Sequence, residues 1–461
     1  MSLGGLAKRI PILVFALAIA RDAHADDCAS VRPTDPGGYF GIGYGADPVA
    51  SYDTPEGRVR VWYATSGSQA PKAIDAAKLS GQAVETAIDG YAAMGFLPAL
   101  GDGDYPLCSS NGGDGRMDVY LVGMGGADGQ AATEICTQVG DVSRCTGFIL
   151  ADNLFEEDGY ASFEEGALTV LPHELFHLVQ NAYSADIDRW WAEGTAQWAT
   201  KALHPELTDL ERFLPAYFSD TTRSIDAPPG GVVQSFLYAT AIWPVFLSER
   251  HGPTVVREIM EAIASDGSKV LQATDHVLIA KGSSLAAEFT TFATWNAATG
   301  DRAGSGGYPL SATYPMVKTE VLSADIGASS NGVTSGLAAH YYEISAGAAR
   351  IVSIDTDPAR NAAVALPLEA AHWSHLRANK RGAVDGENDG KRSPPKSGRT
   401  GGHVVVLDNG RADGRAAGWA TAVRFSGGRR SRWRRRSSAT RVAFGGPRRC
   451  CDKPPTSRQV D

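Results

Sequence analysis

A helix that is apolar on nearly every side, yet carries two histidines and a glutamate, leaves a chain few ways to fold. Ala167 to Tyr183 has the helical period, and Leu171, Leu175, Phe176, Leu178 and Val179 spread around its circumference. Such a helix must be covered on most sides, which takes His173, Glu174 and His177 inside with it. Buried ionisable groups need partners, and a metal ion supplies them. His173 and His177 are four residues apart. On a helix that spacing places them on one face, about 6 Å apart along the axis. Two imidazoles so placed can converge on one zinc ion at about 2.0–2.1 Å. Glu174, beside the first of them, can take a proton from water at the metal and pass it to a leaving amine. Pro172 directly precedes His173, so the helix is expected either to begin near Leu171 or to bend there.

Zinc needs a third protein ligand and an open fourth position for catalysis. Downstream lies Trp190-Trp191-Ala192-Glu193-Gly194-Thr195-Ala196-Gln197-Trp198. Glu193 stands sixteen residues after His177, enough for one turn between antiparallel helices. Tryptophans and small residues are poor company for a solvated carboxylate. Glu193 is therefore the expected third ligand; the alternative is a carboxylate that stabilises a helix N-terminus.

The N-terminus has the pattern of a signal peptide: Lys8-Arg9, an apolar run from Ile10 to Ala20, and Ala23-His24-Ala25 as a cleavage site. The run is too short to span a bilayer readily, and an N-terminal anchor helix is the competing reading. Export makes Cys28, Cys108, Cys136 and Cys145 readable as two disulfides, for which three connectivities exist. Cys136–Cys145 suits a hairpin-like loop, and Cys28–Cys108 would then tie down the mature N-terminus. No CxxC spacing points to a cysteine zinc site. The net charge of −9 hides an asymmetry: residues 426–461 carry eleven Arg and Lys against two Asp, about +9, so the rest carries about −18. That tail reads either as a disordered basic arm or as translation out of frame.

The middle of the chain changes period. Arg58–Thr65, Met117–Val122 and Gly147–Ala151 alternate like strands, after an irregular lead-in over 26–57. Ala73–Met94, Ala167–Tyr183, Trp190–Ala202, Val232–Arg250 and Thr254–Ala264 read as helices, with more helical pattern to about Ala298. Strands followed by helices predict an α+β domain over 26–305, after the signal peptide at 1–25. A Gly-rich linker at Asp301–Tyr308 and short β-like runs (Ala339–Ile344, Arg350–Ile354, His403–Leu407) predict a small all-β sandwich at 306–425, then the tail at 426–461.

HELFHLVQNAY followed by WWAEGTAQWAT resembles the gluzincin zinc metallopeptidases, and most of all a group of secreted bacterial metalloproteases with the pattern HExxHxxQ…WWxEGxAxW. The likeness covers roughly residues 38–300. It implies a thermolysin-like fold with a mixed sheet and a helical half, His173, His177 and Glu193 as zinc ligands, and Glu174 as the catalytic base. It also points to Tyr238, opening a helix that ends at His251-Gly252, as an oxyanion donor; a core tyrosine is the alternative, and Pro244 departs from the pattern. Tyr183, Tyr160 and His204 are the reserve candidates. Where thermolysin-like enzymes place a supporting aspartate four residues after the ligand glutamate, this chain has Gln197, so Thr195 or a nearby aspartate must orient a histidine. No GxMEN motif is present, which favours an endopeptidase acting on polypeptides over an aminopeptidase. The same metal chemistry would serve a hydrolase of other amides or esters, and a secreted binding protein with a vestigial metal site is the rival from another class. No specific nucleic-acid partner and no membrane span after signal removal are expected.

Two acidic, Gly-rich turns, Asp102-Gly103-Asp104 and Asn111-Gly112-Gly113-Asp114-Gly115, could bind Ca2+ but do not match the EF-hand loop. His340, His372, His375 and His403 read as surface or core residues, and Asp186 and Asp188 lie in the loop between the two ligand segments.

Overall fold

The computed structural model describes residues 31–101, 112, 114–230, 235–304, 306–322, 329–334 and 336–344, and beyond these the backbone of six strands between 350 and 427. The signal-peptide segment, Cys28, Cys108 and nearly all of the basic tail lie outside the described residues.

The first half is a five-stranded mixed sheet, followed by a helical region. Strands β1 (Val49–Asp53), β2 (Val59–Ala64), β3 (Met117–Leu121), β4 (Gly129–Val139) and β5 (Val142–Ala151) are ordered β1-β2-β3-β5-β4. The central β2-β3 and β3-β5 pairs are parallel; the outer β1-β2 and β4-β5 pairs are antiparallel. Helix α1 (Ala76–Ala93) is the crossover that lets β2 and β3 run parallel. The period-2 alternation sorts side chains onto two faces. Val119, Leu121, Ile149 and Ala151 point toward α1 and the helical core. Tyr120, Val122, Phe148 and Leu150 point the other way, under Tyr39 and Tyr44 of the lead-in. Burying each of the larger of these side chains contributes about 1.5–3 kcal/mol. Arg32 fixes the lead-in: its guanidinium is 1% exposed and pairs with Asp118 and Glu134.

Through residue 304 the expected strands and helices are found with shifted ends, apart from the one expected over Val232–Arg250, and two strands and the helix over Asp209–Phe218 were not foreseen. β1 lies inside the stretch read as irregular, and β4 occupies a stretch left unassigned. Cys136 and Cys145 face each other across β4 and β5 and form a disulfide, as the spacing predicts.

The helices are α2 (Phe163–Tyr183), α3 (Arg189–Leu203), α4 (Asp209–Phe218), α5 (Ser235–Ala239), α6 (Ile242–His251), α7 (Val255–Asp266), α8 (Val270–Ala280) and α9 (Leu285–Ala297). α2 neither begins nor ends at Pro172. It starts nine residues earlier, where the Ser162 hydroxyl caps Glu165 N at 3.1 Å and Glu165 accepts from Ala161 N. Pro172 removes only the bond to the Leu168 carbonyl, and its own carbonyl accepts from the Tyr91 hydroxyl at 2.8 Å. The segment expected as one helix over Val232–Arg250 is two: α5 and α6 break at Thr240-Ala241, and residues 231–234 lie outside the described part. The break explains Pro244, which falls in the first turn of α6, where a missing N–H costs nothing.

Beyond α9 the chain stays packed on the helices. Tyr308 is buried and donates to Asn296 Oδ1 at 2.7 Å, and Tyr341 donates to the Ala293 carbonyl at 3.0 Å. Strands β6 (Thr319–Leu322), β8 (Leu337–Ile344), β10 (Asn361–Leu368) and β13 (Gly401–Asn409) form one sheet, ordered β10-β13-β8-β6. Strands β7 (Ser329–Thr334), β9 (Arg350–Asp355), β11 (Trp373–Ala378), β12 (Val384–Asn388) and β14 (Trp419–Gly427) form a second, ordered β11-β12-β9-β14-β7. No helix among the described residues is long and apolar enough to cross a membrane.

Candidate metal centre

α2 and α3 bring together the three residues that the spacing singled out. Ligand atoms of His173, His177 and Glu193 all lie within 4.8 Å of one another. Glu193 Oε2 is 3.2 Å from His173 Nε2 and 3.4 Å from His177 Nε2. A tetrahedral ion with bonds of about 2.0–2.1 Å separates its ligand atoms by about 3.3–3.4 Å. The donor set and its spacing therefore fit a zinc-sized ion. Among the described residues this is the one group of histidines, cysteines and carboxylates that could hold a metal.

Two close approaches set this geometry. Gly194, next to Glu193, lies where a Cβ would meet Thr240 Oγ1 at 2.7 Å and Ala241 N at 3.2 Å. Thr240 Oγ1 in turn donates to the Trp190 carbonyl at 2.7 Å, so the α5–α6 break is tied to the start of α3 by a side-chain hydrogen bond. Gly129, opening β4, lies where a Cβ would meet Val170 Cγ1 at 2.4 Å and Glu174 Cγ at 3.0 Å. Edge strand β4 can thus lie directly against α2.

His177 is oriented by an amide whose own orientation is fixed. Gln180 Nε2 donates to the Ala192 carbonyl at 2.7 Å and to Thr195 Oγ1 at 2.9 Å. Thr195 Oγ1 donates to the Trp191 carbonyl at 2.7 Å, which leaves the hydroxyl oxygen free to accept. With its NH2 directed at two oxygens, Gln180 presents Oε1 to His177 Nδ1, at 2.9 Å. Only an Nδ1–H can satisfy that contact, so once the ring is neutral its lone pair is on Nε2, the atom turned toward Glu193 and the metal position. Thr195, expected as a direct support of a histidine, acts one step removed, through Gln180. Gln197 holds Asp209 on α4, with Nε2 donating to Oδ2 at 2.7 Å. Burial raises the Asp209 carboxyl above its ordinary range, opposed by Gln197, Arg212 and the charge of His173.

The two glutamates are pushed apart. Glu174 is 1% exposed; burial raises its carboxyl, opposed by the two histidines, and its Oε2 accepts from Ala131 N of β4 at 2.7 Å. Burial also works against ionised Glu193, but His177 and hydrogen bonds from both histidines outweigh it and hold the group down at about 2. Burial opposes protonation of His177 too, yet Glu193 prevails and lifts it to about 9 without a metal. One carboxylate is thus kept charged and ligand-like, while the other is made more basic.

Tyr238 sits on the short helix α5, with its ring 5.8 Å from the His173 ring and 4.9 Å from Phe213. It is 3% exposed, and burial raises its phenol well above 10, so it stays a protonated donor. The reserve candidates are engaged elsewhere. Tyr160 donates to Asp128 Oδ2 at 2.8 Å, Tyr183 accepts from Leu97 N at 2.8 Å, and His204 ends α3 beside Glu206. Asp186 is exposed, and the Asp188 carbonyl accepts from Trp191 N and Ala192 N. In the acidic turns, Asp114 pairs with Arg60 and Arg116, while Asp102, Gly103, Asp104, Asn111 and Gly113 lie outside the described residues.

A cavity of about 200 Å³ adjoins the metal position, between β4 (Ala131, Thr133), α2 (His177, Asn181) and the start of α3 (Arg189, Glu193). β4 ends the sheet order, with no further strand paired to it among the described residues. Sequence reasoning did not find β4, Asp209 or the cavity. The glycine of the GQAATE run was the one local sign of a close approach.

No protein-family model matches the chain, and no curated protein matches it.

Proposed function

We propose that the chain is a secreted zinc metalloendopeptidase of gluzincin type. The observation that carries this reading is the His173/His177/Glu193 triad at zinc spacing, with a buried, more basic carboxylate, Glu174, beside it and the last strand of the sheet order alongside. Bound there, zinc supplies Lewis acidity, polarising a carbonyl and acidifying water. Glu174, held by Ala131 N, accepts the proton of the attacking water and returns it to the leaving amine. Tyr238 donates to the oxyanion as it forms. Among the described residues β4 is the last strand of its sheet, a position that suits an extended polypeptide whose backbone continues the sheet past Glu174. This is the feature that favours a peptide over a small amide or ester. The apparent signal peptide and the Cys136–Cys145 disulfide support export, and we read the two later sheets as the accessory β-sandwich.

The test is digestion of casein by the mature protein, with products identified by mass spectrometry. The reading expects internal cleavages, loss of activity with a zinc chelator and its return with zinc. Hydrolysis of small amides or esters with intact casein would move the function to the non-peptide alternative.

A further inference from the structure

The cavity beside the metal centre contains a cation that nothing in the fold explains. Arg189 lines it with His177 and Glu193 and is half-buried. Among the described residues its side chain has no hydrogen bond and no ion pair. Other arginines of this half, Arg58, Arg60, Arg212 and Arg257 among them, face carboxylates. Arg189 is also the first residue of α3, whose first turn holds no acid and whose N-cap residue, Asp188, makes no side-chain capping bond. A cation at that end of a helix opposes the helix dipole, so the placement costs stability unless an anion shares the site. The nearest acid in the cavity, Glu193, is directed at the two histidines and committed to them.

We propose that Arg189 is a specificity residue: the cavity is a substrate subsite, and Arg189 receives a carboxylate of the polypeptide close to the scissile bond. This rests on the peptidase reading above. The planar guanidinium matches a carboxylate with two parallel hydrogen bonds, which a lysine cannot reproduce. The cavity's 200 Å³ is below the about 300–1,000 Å³ of pockets that enclose a whole small molecule, and it suits a single side chain or chain terminus. Ala131 and Thr133 on its wall belong to the strand edge proposed to hold the substrate backbone, so a residue bound there would point its carboxylate at Arg189.

The experiment uses fluorogenic peptides in which one Glu, or Gln in its place, is moved through the positions flanking the cleaved bond, each made as free acid and as C-terminal amide. At one position, kcat/KM for Glu should exceed that for Gln by on the order of 10- to 100-fold. In Arg189→Gln that ratio should fall to about one, with Arg189→Lys in between. A difference between free acid and amide, instead of between Glu and Gln, would identify the chain terminus as the source of the carboxylate. A wild type without preference for either carboxylate, or a preference that survives in Arg189→Gln, overturns the proposal. Should the wild type cleave none of the peptides, the peptidase reading fails separately. Binding then decides the subsite: anisotropy of the labelled Glu and Gln peptides on Glu174→Gln, with and without Arg189→Gln, should show a Glu preference that the second substitution removes. Equal binding of the two peptides would refute it.

Discussion

Replacing Gln180 with leucine should cost this protein most of its metal affinity while leaving all three ligands in place. Gln180 is 3% exposed and makes three hydrogen bonds, to His177 Nδ1, the Ala192 carbonyl and Thr195 Oγ1. Leucine has a similar size and none of these bonds. At about 1 kcal/mol net for each, the fold should lose about 1–3 kcal/mol. The larger effect falls on His177. Without an acceptor at Nδ1, the ring is free to place its proton on Nε2, the atom that must carry the lone pair, and to rotate. Loss of such a support lowers metal affinity about 10- to 100-fold. Competition with a zinc chelator at fixed pH measures this directly, and thermal unfolding of the metal-free variant separates stability from affinity. Zinc affinity equal to wild type in Gln180→Leu would refute the argument that the Gln180 amide fixes the His177 tautomer.

Three further outcomes follow from the geometry. In the metal-free protein, the His177–Glu193 pair should stabilise the fold within a pH window. The His177 contribution is complete below about 6.5 and lost as pH rises through about 9, and the Glu193 contribution is complete above 4.5 and lost as pH falls through about 2. Melting temperatures of chelator-treated protein across pH, compared with His177→Ala, should show that advantage shrinking between about 6.5 and 9. Tyr238→Phe should lower kcat by about 10²- to 10³-fold, the range seen when an oxyanion donor is removed, with zinc content unchanged; an unaltered kcat would leave Tyr238 as a core residue. Gly194→Ala, whose Cβ would meet Thr240 Oγ1 at 2.7 Å, should cost about 1–3 kcal/mol by overpacking and shift α5 with Tyr238, read as a fall in both melting temperature and kcat.

What could be read in the sequence was what local spacing determines. His173 and His177 are four residues apart on one helix, so their convergence needs no knowledge of the rest of the fold. Glu193 was legible because an acid among tryptophans has few other uses. β4 was not, because its opening run of Gly, Gln and Ala, and Glu134 after it, have weak strand propensity; its place is set by Gly129 fitting against Val170 and Glu174, a contact forty or more residues distant in sequence. The α5–α6 break was hidden for the same reason: Thr240 turns there to reach the Trp190 carbonyl, and nothing in Val232–Arg250 alone shows that partner. The direction of the Gln180 amide depends on a carbonyl and a hydroxyl of another helix. Pro172 offered two local readings, a start or a bend, and the capping at Ser162 placed the start elsewhere.

The central claim is that His173, His177 and Glu193 hold a catalytic zinc and that Glu174 is the base. Metal analysis and casein cleavage on wild type and Glu174→Gln in parallel test it most directly. The account predicts one zinc per chain in both proteins and cleavage by wild type alone. A wild type that binds no zinc, or a Glu174→Gln variant that cleaves casein as fast as wild type, would contradict it.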